Sequence, residues 1–128
     1  GQMIIGADTV VAVGRRILPK AEDEQTAARC LKMLSGRRHR VHGGLAVIDA
    51  HGKVHTRLVA TAVAFRTLDP SDIKSYVQSG EWQGKAGGYA IQGLAATYVR
   101  KIIGSYSNVV GLPLFETAAL LKGLGWRS

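Results

Sequence analysis

Two residue periodicities alternate along this chain, and together they predict an α/β fold: a mixed β-sheet flanked by helices. Segments with period-two alternation and β-branched residues, at 39–48 and 54–65, are joined by Asp49-Ala50-His51-Gly52, which reads as a hairpin turn. Segments at helical spacing carry helix start and stop signals of their own. No linker, repeat or low-complexity stretch divides the 128 residues, so one domain over 1–128 is expected.

The elements follow in order. Met3-Ile4-Ile5 is apolar and β-branched and is followed by Gly6, which predicts a short buried strand with Asp8 at its carboxyl end. Val10 to Val13 continues as a strand, Gly14-Arg15-Arg16 turns, and Ile17-Leu18 returns extended because Pro19 disfavours helix at the residue before it. A helix is predicted over 22–34. Glu22, Asp23 and Glu24 favour its amino end, Ala27, Cys30, Leu31 and Leu34 share a face, and Ser35-Gly36 ends it. In the hairpin, Val41, Leu45 and Val47 are the apolar positions of one strand, and Val59, Thr61, Val63 and Phe65 share a face of the other. Asp69 and Pro70 are a cap and first residue for a helix carrying Ile73, Tyr76 and Val77. A strand is predicted over 94–103, a loop over 104–108, and a closing helix with Leu112, Phe115, Ala119 and Leu120 inward.

Composition bounds the function. Hydrophobic content of 46% and charged content of 20% belong to a globular domain, and no apolar stretch suits a membrane span. A cytoplasmic protein with no membrane partner is expected. The single cysteine, Cys30, has no internal partner and falls on the helical core face. Seventeen basic against nine acidic residues give a net charge of +8, which favours an anionic partner. Arg37-Arg38-His39-Arg40 is the densest basic run. No zinc-finger or RNA-binding aromatic signature accompanies it, so no specific nucleic acid is expected.

Chemistry concentrates in two places. Asp8 is a carboxylate beside an apolar strand, costly to bury without a partner or task. The second place is the segment from Gly80 to Gly93, where glycines free backbone amides to face an anion. Within it Lys85 supplies a point charge suited to phosphate, and Gln92 both donates and accepts hydrogen bonds, as a base edge requires. Glu81, the acidic residue of that segment, reads as a solvated loop carboxylate. His39 and His42 lie three apart on a strand and face opposite sides, so they are not a metal pair. His51 and His55 flank the hairpin turn and are expected to be exposed.

The blocks Gly6-Ala7-Asp8-Thr9-Val10-Val11, Ile17-Leu18 with Lys20, Ser35-Gly36 with His39 and Val41, Lys85 to Gly93, and Ser107-Asn108-Val109-Val110-Gly111-Leu112-Pro113 resemble the Maf family in order and spacing. The resemblance implies a Maf/ITPase-like α/β domain and a nucleoside triphosphate pyrophosphatase. Such an enzyme cleaves between the α and β phosphates with a divalent metal, Mg²⁺ or Mn²⁺. It implies Asp8 as the proton acceptor that activates water, and as a metal contact. It implies Lys20 and Lys85 as phosphate-binding residues, and Thr9 and Gln92 as specificity residues of a dTTP- and UTP-directed branch. Pro19 and Ala21 depart from the family's usual residues around Lys20, which puts the course of that segment in question.

The family's amino-terminal Ser-x-Arg-Arg segment has no match here, so the domain is expected to be incomplete at its amino end. The chain alone is then expected to turn over weakly or not at all, because oriented arginine forks on a polyphosphate are strong contacts. A sheet lacking that strand leaves an unpaired edge, and a homodimer is expected. Two other readings compete: a non-catalytic nucleotide-binding or regulatory protein of the same fold, and a basic nucleic-acid-binding module.

Overall fold

A computed structural model describes residues 2–126. Five strands form one sheet in the order β2-β1-β3-β4-β5: β1 is Ile4–Val13, β2 Arg16–Leu18, β3 Arg38–Ile48, β4 Val54–Phe65 and β5 Val99–Ile103. The helices are α1 (Glu24–Leu34), α2 (Pro70–Ser79), α3 (Tyr106–Val110) and α4 (Leu114–Gly123). The α/β class is borne out. Each of the strand pairings among the described residues is antiparallel, which narrows the mixed sheet expected.

Strand β1 differs from its prediction. It does not stop at Gly6 but runs on to Val13, because β3 offers a ladder partner throughout, from Ile4 opposite Ile48 to Ala12 opposite Arg40. Asp8 therefore lies within a strand and not at its end. The run before it is not buried either: Ile4 is 60% and Ile5 45% exposed.

The long hairpin shows why one face holds the core. Odd positions of β3, His39, Val41, Leu45 and Val47, are buried, and so are Thr61, Val63 and Phe65 of β4. The period of two sends these side chains to one side, and Val11 and Val13 of β1 join them. Helix α1 covers one end of that face with Ala27, Cys30, Leu31 and Leu34, as its spacing predicts. Asp23 caps it by accepting from the Thr26 amide at 2.7 Å. Helix α2 begins as predicted at Asp69 and Pro70, with Asp72 completing a capping box. At the other end α4 places Leu120 on Leu45 and Val47. Phe115 was expected inward but is 78% exposed. The buried positions of α4 are Thr117 and Leu120, three apart, and Phe115 faces away from them.

Two further expectations change. The first part of the strand predicted over 94–103 is a 3-10 helix, Leu94–Tyr98, and only Val99–Ile103 is β5. Ala95 and Tyr98, three apart, are both buried, a spacing that suits 3-10 geometry and defeats strand alternation. The predicted loop at 104–108 contains the start of α3, which Ser105 caps by accepting from the Asn108 amide at 3.1 Å. His55 is not exposed as expected. It is 2.8 Å from Asp49, whose carboxylate also accepts from the His51 and Lys53 amides and so holds the hairpin turn. The His55 contact, then the amides, pull the Asp49 carboxyl down to about 2.

Candidate active site

The site lies between the two parts of the core. The cluster under α1 and the cluster under α4 both sit on the same sheet face, separated by the row Thr9, Gly43 and Val59. A cavity of about 430 Å³ opens there. Thr9, Val11 and Val41 form part of its sheet wall, the segment from Gly84 to Gln92 a second wall, and Val109 to Gly111 a third. Asp8, Thr9, Lys20, Lys85 and Gln92 all line it. Five residues picked from the sequence thus meet in one cavity, although 84 positions separate Asp8 from Gln92.

Asp8 and Thr9 approach the cavity differently. Thr9 shares the core-facing side with Val11, while strand alternation assigns Asp8 to the other side. Asp8 also lines a second groove with Gly44 and Leu58, which alternate to that same outer side. Strand β2 pairs only with Val11 to Val13, so the far edge of β1 beside Asp8 carries no strand among the described residues. The carboxylate accepts from the Thr9 amide at 2.9 Å and is otherwise exposed.

Lys20 and Lys85 are brought together by backbone pairing. Lys20 lies opposite Ala86 in an isolated antiparallel bridge. Ala21 donates to the Lys85 carbonyl at 3.0 Å, Gly84 donates to Ala21 at 2.8 Å, and Gly87 donates to Pro19 at 3.0 Å. Pro19, one of the departures from the family pattern, contributes only its carbonyl, so its missing N–H costs this pairing nothing. Ala21, the other departure, is fully buried. Both lysines remain exposed and, among the described residues, neither forms an ion pair.

The glycine-rich segment is seated by close approach. Gly87 has φ +71°, and a Cβ there would come within 2.8 Å of the Val11 side chain. Only glycine allows the backbone to lie directly on β1 at this point. Aromatic packing holds the rest. Tyr89 is buried edge-on against Phe65 and His39, with ring centroids 4.9 and 5.4 Å apart. The Tyr76 hydroxyl accepts from the Ala90 amide at 2.9 Å. His39 Nε2 and the Tyr89 hydroxyl share a 2.6 Å hydrogen bond, while Nδ1 has no partner. Burial lowers the His39 pKa to about 4, so the ring is neutral at pH 7, and burial pushes the Tyr89 hydroxyl up.

Asn108 belongs to the Ser107–Pro113 block of the sequence. It is fully buried, and its Nδ2 donates to the Val41 and Val59 carbonyls and the Thr61 hydroxyl, at 3.0, 3.2 and 3.1 Å. Its Oδ1 lies where a Cβ of Gly43 would stand. The amide thereby fixes the Val109–Gly111 wall over the strand pair next to Thr9. A glycine inside a strand signals such an approach, and Gly43 was the available clue. Glu81 is not the solvated carboxylate expected: Oε2 accepts from the Leu94 amide at 3.0 Å, because the segment folds back on itself.

Among the described residues no group of three or more His, Cys, Asp or Glu side chains is placed to hold a metal, and Asp8 is the one carboxylate lining the cavity. That donor set suits a hard cation that brings most of its ligands with it, as Mg²⁺ does when it arrives on phosphate oxygens. No helix among the described residues is long and apolar enough to cross a membrane.

Comparison with known proteins points to one family. The family model of Maf-like proteins matches residues 1–124. A dTTP/UTP pyrophosphatase of Paramagnetospirillum magneticum is 63% identical over 126 residues, covering 98% of this chain and 66% of the relative. Proteins with the same name from Mesorhizobium japonicum and Granulibacter bethesdensis are 60% and 62% identical, over 97% and 98% of this chain. The chain spans 66%, 60% and 59% of the lengths of these three relatives. With a match of this extent, and a cavity lined by residues from each of its distinctive blocks, the chain belongs to the family of Maf-like proteins.

Proposed function

We propose that this chain carries the nucleotide site of a pyrophosphatase that hydrolyses dTTP and UTP to the monophosphate and pyrophosphate. The observation that carries the reading is the meeting of Asp8, Thr9, Lys20, Lys85 and Gln92 around one cavity. The names of the relatives support the substrate class.

In this reading the triphosphate lies along Lys20 and Lys85, whose ammonium groups offset its charge without fixing a bidentate geometry. Amides of the glycine-rich segment add donors. Asp8 takes the proton of the attacking water, a role its exposure at the strand edge permits. Gln92 offers the pyrimidine edge one donor and one acceptor, and Thr9 bounds the same cavity from the sheet. A divalent cation, Mg²⁺ or Mn²⁺, would be held by Asp8 together with the substrate's phosphate oxygens. It would supply charge neutralisation of the leaving pyrophosphate.

We also assign a homodimer and a cytoplasmic location. The homodimer is supported by the far edge of Ile4 to Val10, unpaired among the described residues, and by Ile4, Val10 and Leu58 exposed on the same outer face. The location is supported by the lone, buried Cys30, which has no internal cysteine to pair with.

The test is product analysis with UTP and dTTP. The 128-residue chain is expected to bind UTP with Mg²⁺ and to release pyrophosphate slowly, with release lowered by about 100-fold or more in Asp8→Asn. Orthophosphate as the product, or release unaffected by Asp8→Asn, overturns the reading. Binding without any release favours the non-catalytic nucleotide-binding alternative.

A further inference from the structure

We infer that Glu81 is a positioning residue for Gln92, closing the glycine-rich segment so that the Gln92 amide is held against the cavity. The inference rests on the reading of Gln92 as the residue that meets the base. Glu81 does not line the cavity and forms no ion pair among the described residues, so neither metal nor lysine explains its side chain. It is half-buried, and Oε2 accepts from the Leu94 amide, two residues after Gln92, at 3.0 Å. Its own amide donates to the Ser79 hydroxyl at 3.2 Å, at the carboxyl end of α2. One residue thus ties the start of the segment to its end.

The position between Gln92 and Leu94 records the same closure independently. Gly93 has φ +122°, and a Cβ there would stand 2.8 Å from Glu81 Oε1 and 3.0 Å from Oε2. The carboxylate therefore occupies the space that any side chain at 93 would need. Tyr76 fixes the other flank of Gln92 through the Ala90 amide. Gln92 itself is exposed and makes no side-chain hydrogen bond within the described chain, so the backbone on either side of it sets where its amide points. A charge-assisted acceptor is the stronger choice for such a clamp, since it ties down the Leu94 amide more tightly than a neutral group.

The experiment measures base selectivity, the ratio of UTP to CTP turnover with Mg²⁺, or the ratio of their Kd values by calorimetry where turnover is too slow. Gln92→Ala tests the underlying reading and is expected to lower the ratio about tenfold or more, the loss of a matched polar edge. Glu81→Leu and Gly93→Ala, which remove the acceptor and invade its space, are expected to lower it by a similar factor. Glu81→Gln keeps an oxygen for the Leu94 amide and is expected to stay within about twofold of the parent. A role in stability alone would reduce the folded fraction and leave the ratio unchanged. Should Glu81→Leu fail to fold, Glu81→Asp shortens the reach by one methylene and takes its place. A ratio that falls in Gln92→Ala but holds in Glu81→Leu and Gly93→Ala overturns the role of Glu81. A ratio that holds in Gln92→Ala, or no binding of either nucleotide, overturns the reading of Gln92 on which it stands.

Discussion

Asp8 and Thr9 are adjacent in sequence and lie on opposite sides of the sheet, which gives them different approaches to the cavity. Thr9 faces the cavity from within the sheet wall, where its methyl and hydroxyl shape the space. Asp8 reaches the cavity from an exposed edge, open to water and cation. In the proposed reading Asp8→Asn keeps the size and removes the carboxylate that takes the water's proton, so pyrophosphate release is expected to fall by about 100-fold or more while UTP binding changes less. His39 makes a different prediction. Its folded pKa of about 4 lies below the ordinary 6.5, so the unfolded chain binds more protons between those values. Stability is then full above pH 6.5 and is lost as pH falls toward 4, by up to about 3 kcal/mol. Asp49 and Asp72, both held near 2, lose their contributions only at lower pH, through 3.8 toward 2. Urea midpoints measured from pH 8 to 4 are expected to fall for the parent chain. The fall should be shallower in His39→Gln, which keeps a partner for Tyr89 and cannot take up the charge.

At the scale of elements, the site depends on two places where side chains would prevent packing. Gly87 lets the glycine-rich segment lie on β1, and Gly43 admits the Asn108 amide onto the hairpin. Gly43→Ala is expected to destabilise by about 1–3 kcal/mol, because the neighbouring amide is anchored by three hydrogen bonds and cannot yield cheaply. Asn108→Ala should cost a similar amount. The double variant should cost less than the sum, since removing the amide opens the space for the new methyl. Denaturant unfolding of the set gives the coupling directly, and additive costs would refute the contact. The elements were unevenly legible beforehand. Helices α1 and α2 announce themselves through Asp23, Asp69 and Pro70, because caps are local chemistry. The 3-10 turn at Leu94–Tyr98 does not, because the Glu81 contact that starts it comes from 13 residues away.

For the molecule as a whole, the sheet buries one face and leaves the other open among the described residues. Ile17, Ala12, Arg40, Ala62 and Ile103 form one cross-strand row of the open face, and Asp8, Gly44 and Leu58 another. Leu58 is 89% exposed and Ile17 73% exposed. If a second copy covers this face, Leu58→Lys is expected to weaken self-association about tenfold or more. That follows from losing roughly 1.5–3 kcal/mol of side-chain burial at the interface. Sedimentation over a concentration series measures it, and an unchanged monomer–dimer balance would remove this face from the interface.

Much of this protein follows from sequence alone. The period of two in β3 and β4, the caps of α1 and α2, and the blocks around Asp8, Lys20, Lys85 and Gln92 are properties of neighbouring residues. Local sterics and side-chain chemistry act over a few positions and can be read in order. The tertiary structure decided what depends on distant partners. It carried β1 through Gly6 because β3 paired with it, and it set Asp8 and Thr9 on opposite faces. It also moved Glu81 from solvent to a backbone clamp and closed Asn108 over Gly43. Each of these outcomes turns on a hydrogen bond or a shared volume between segments far apart in the chain, and no local pattern encodes which of them will meet.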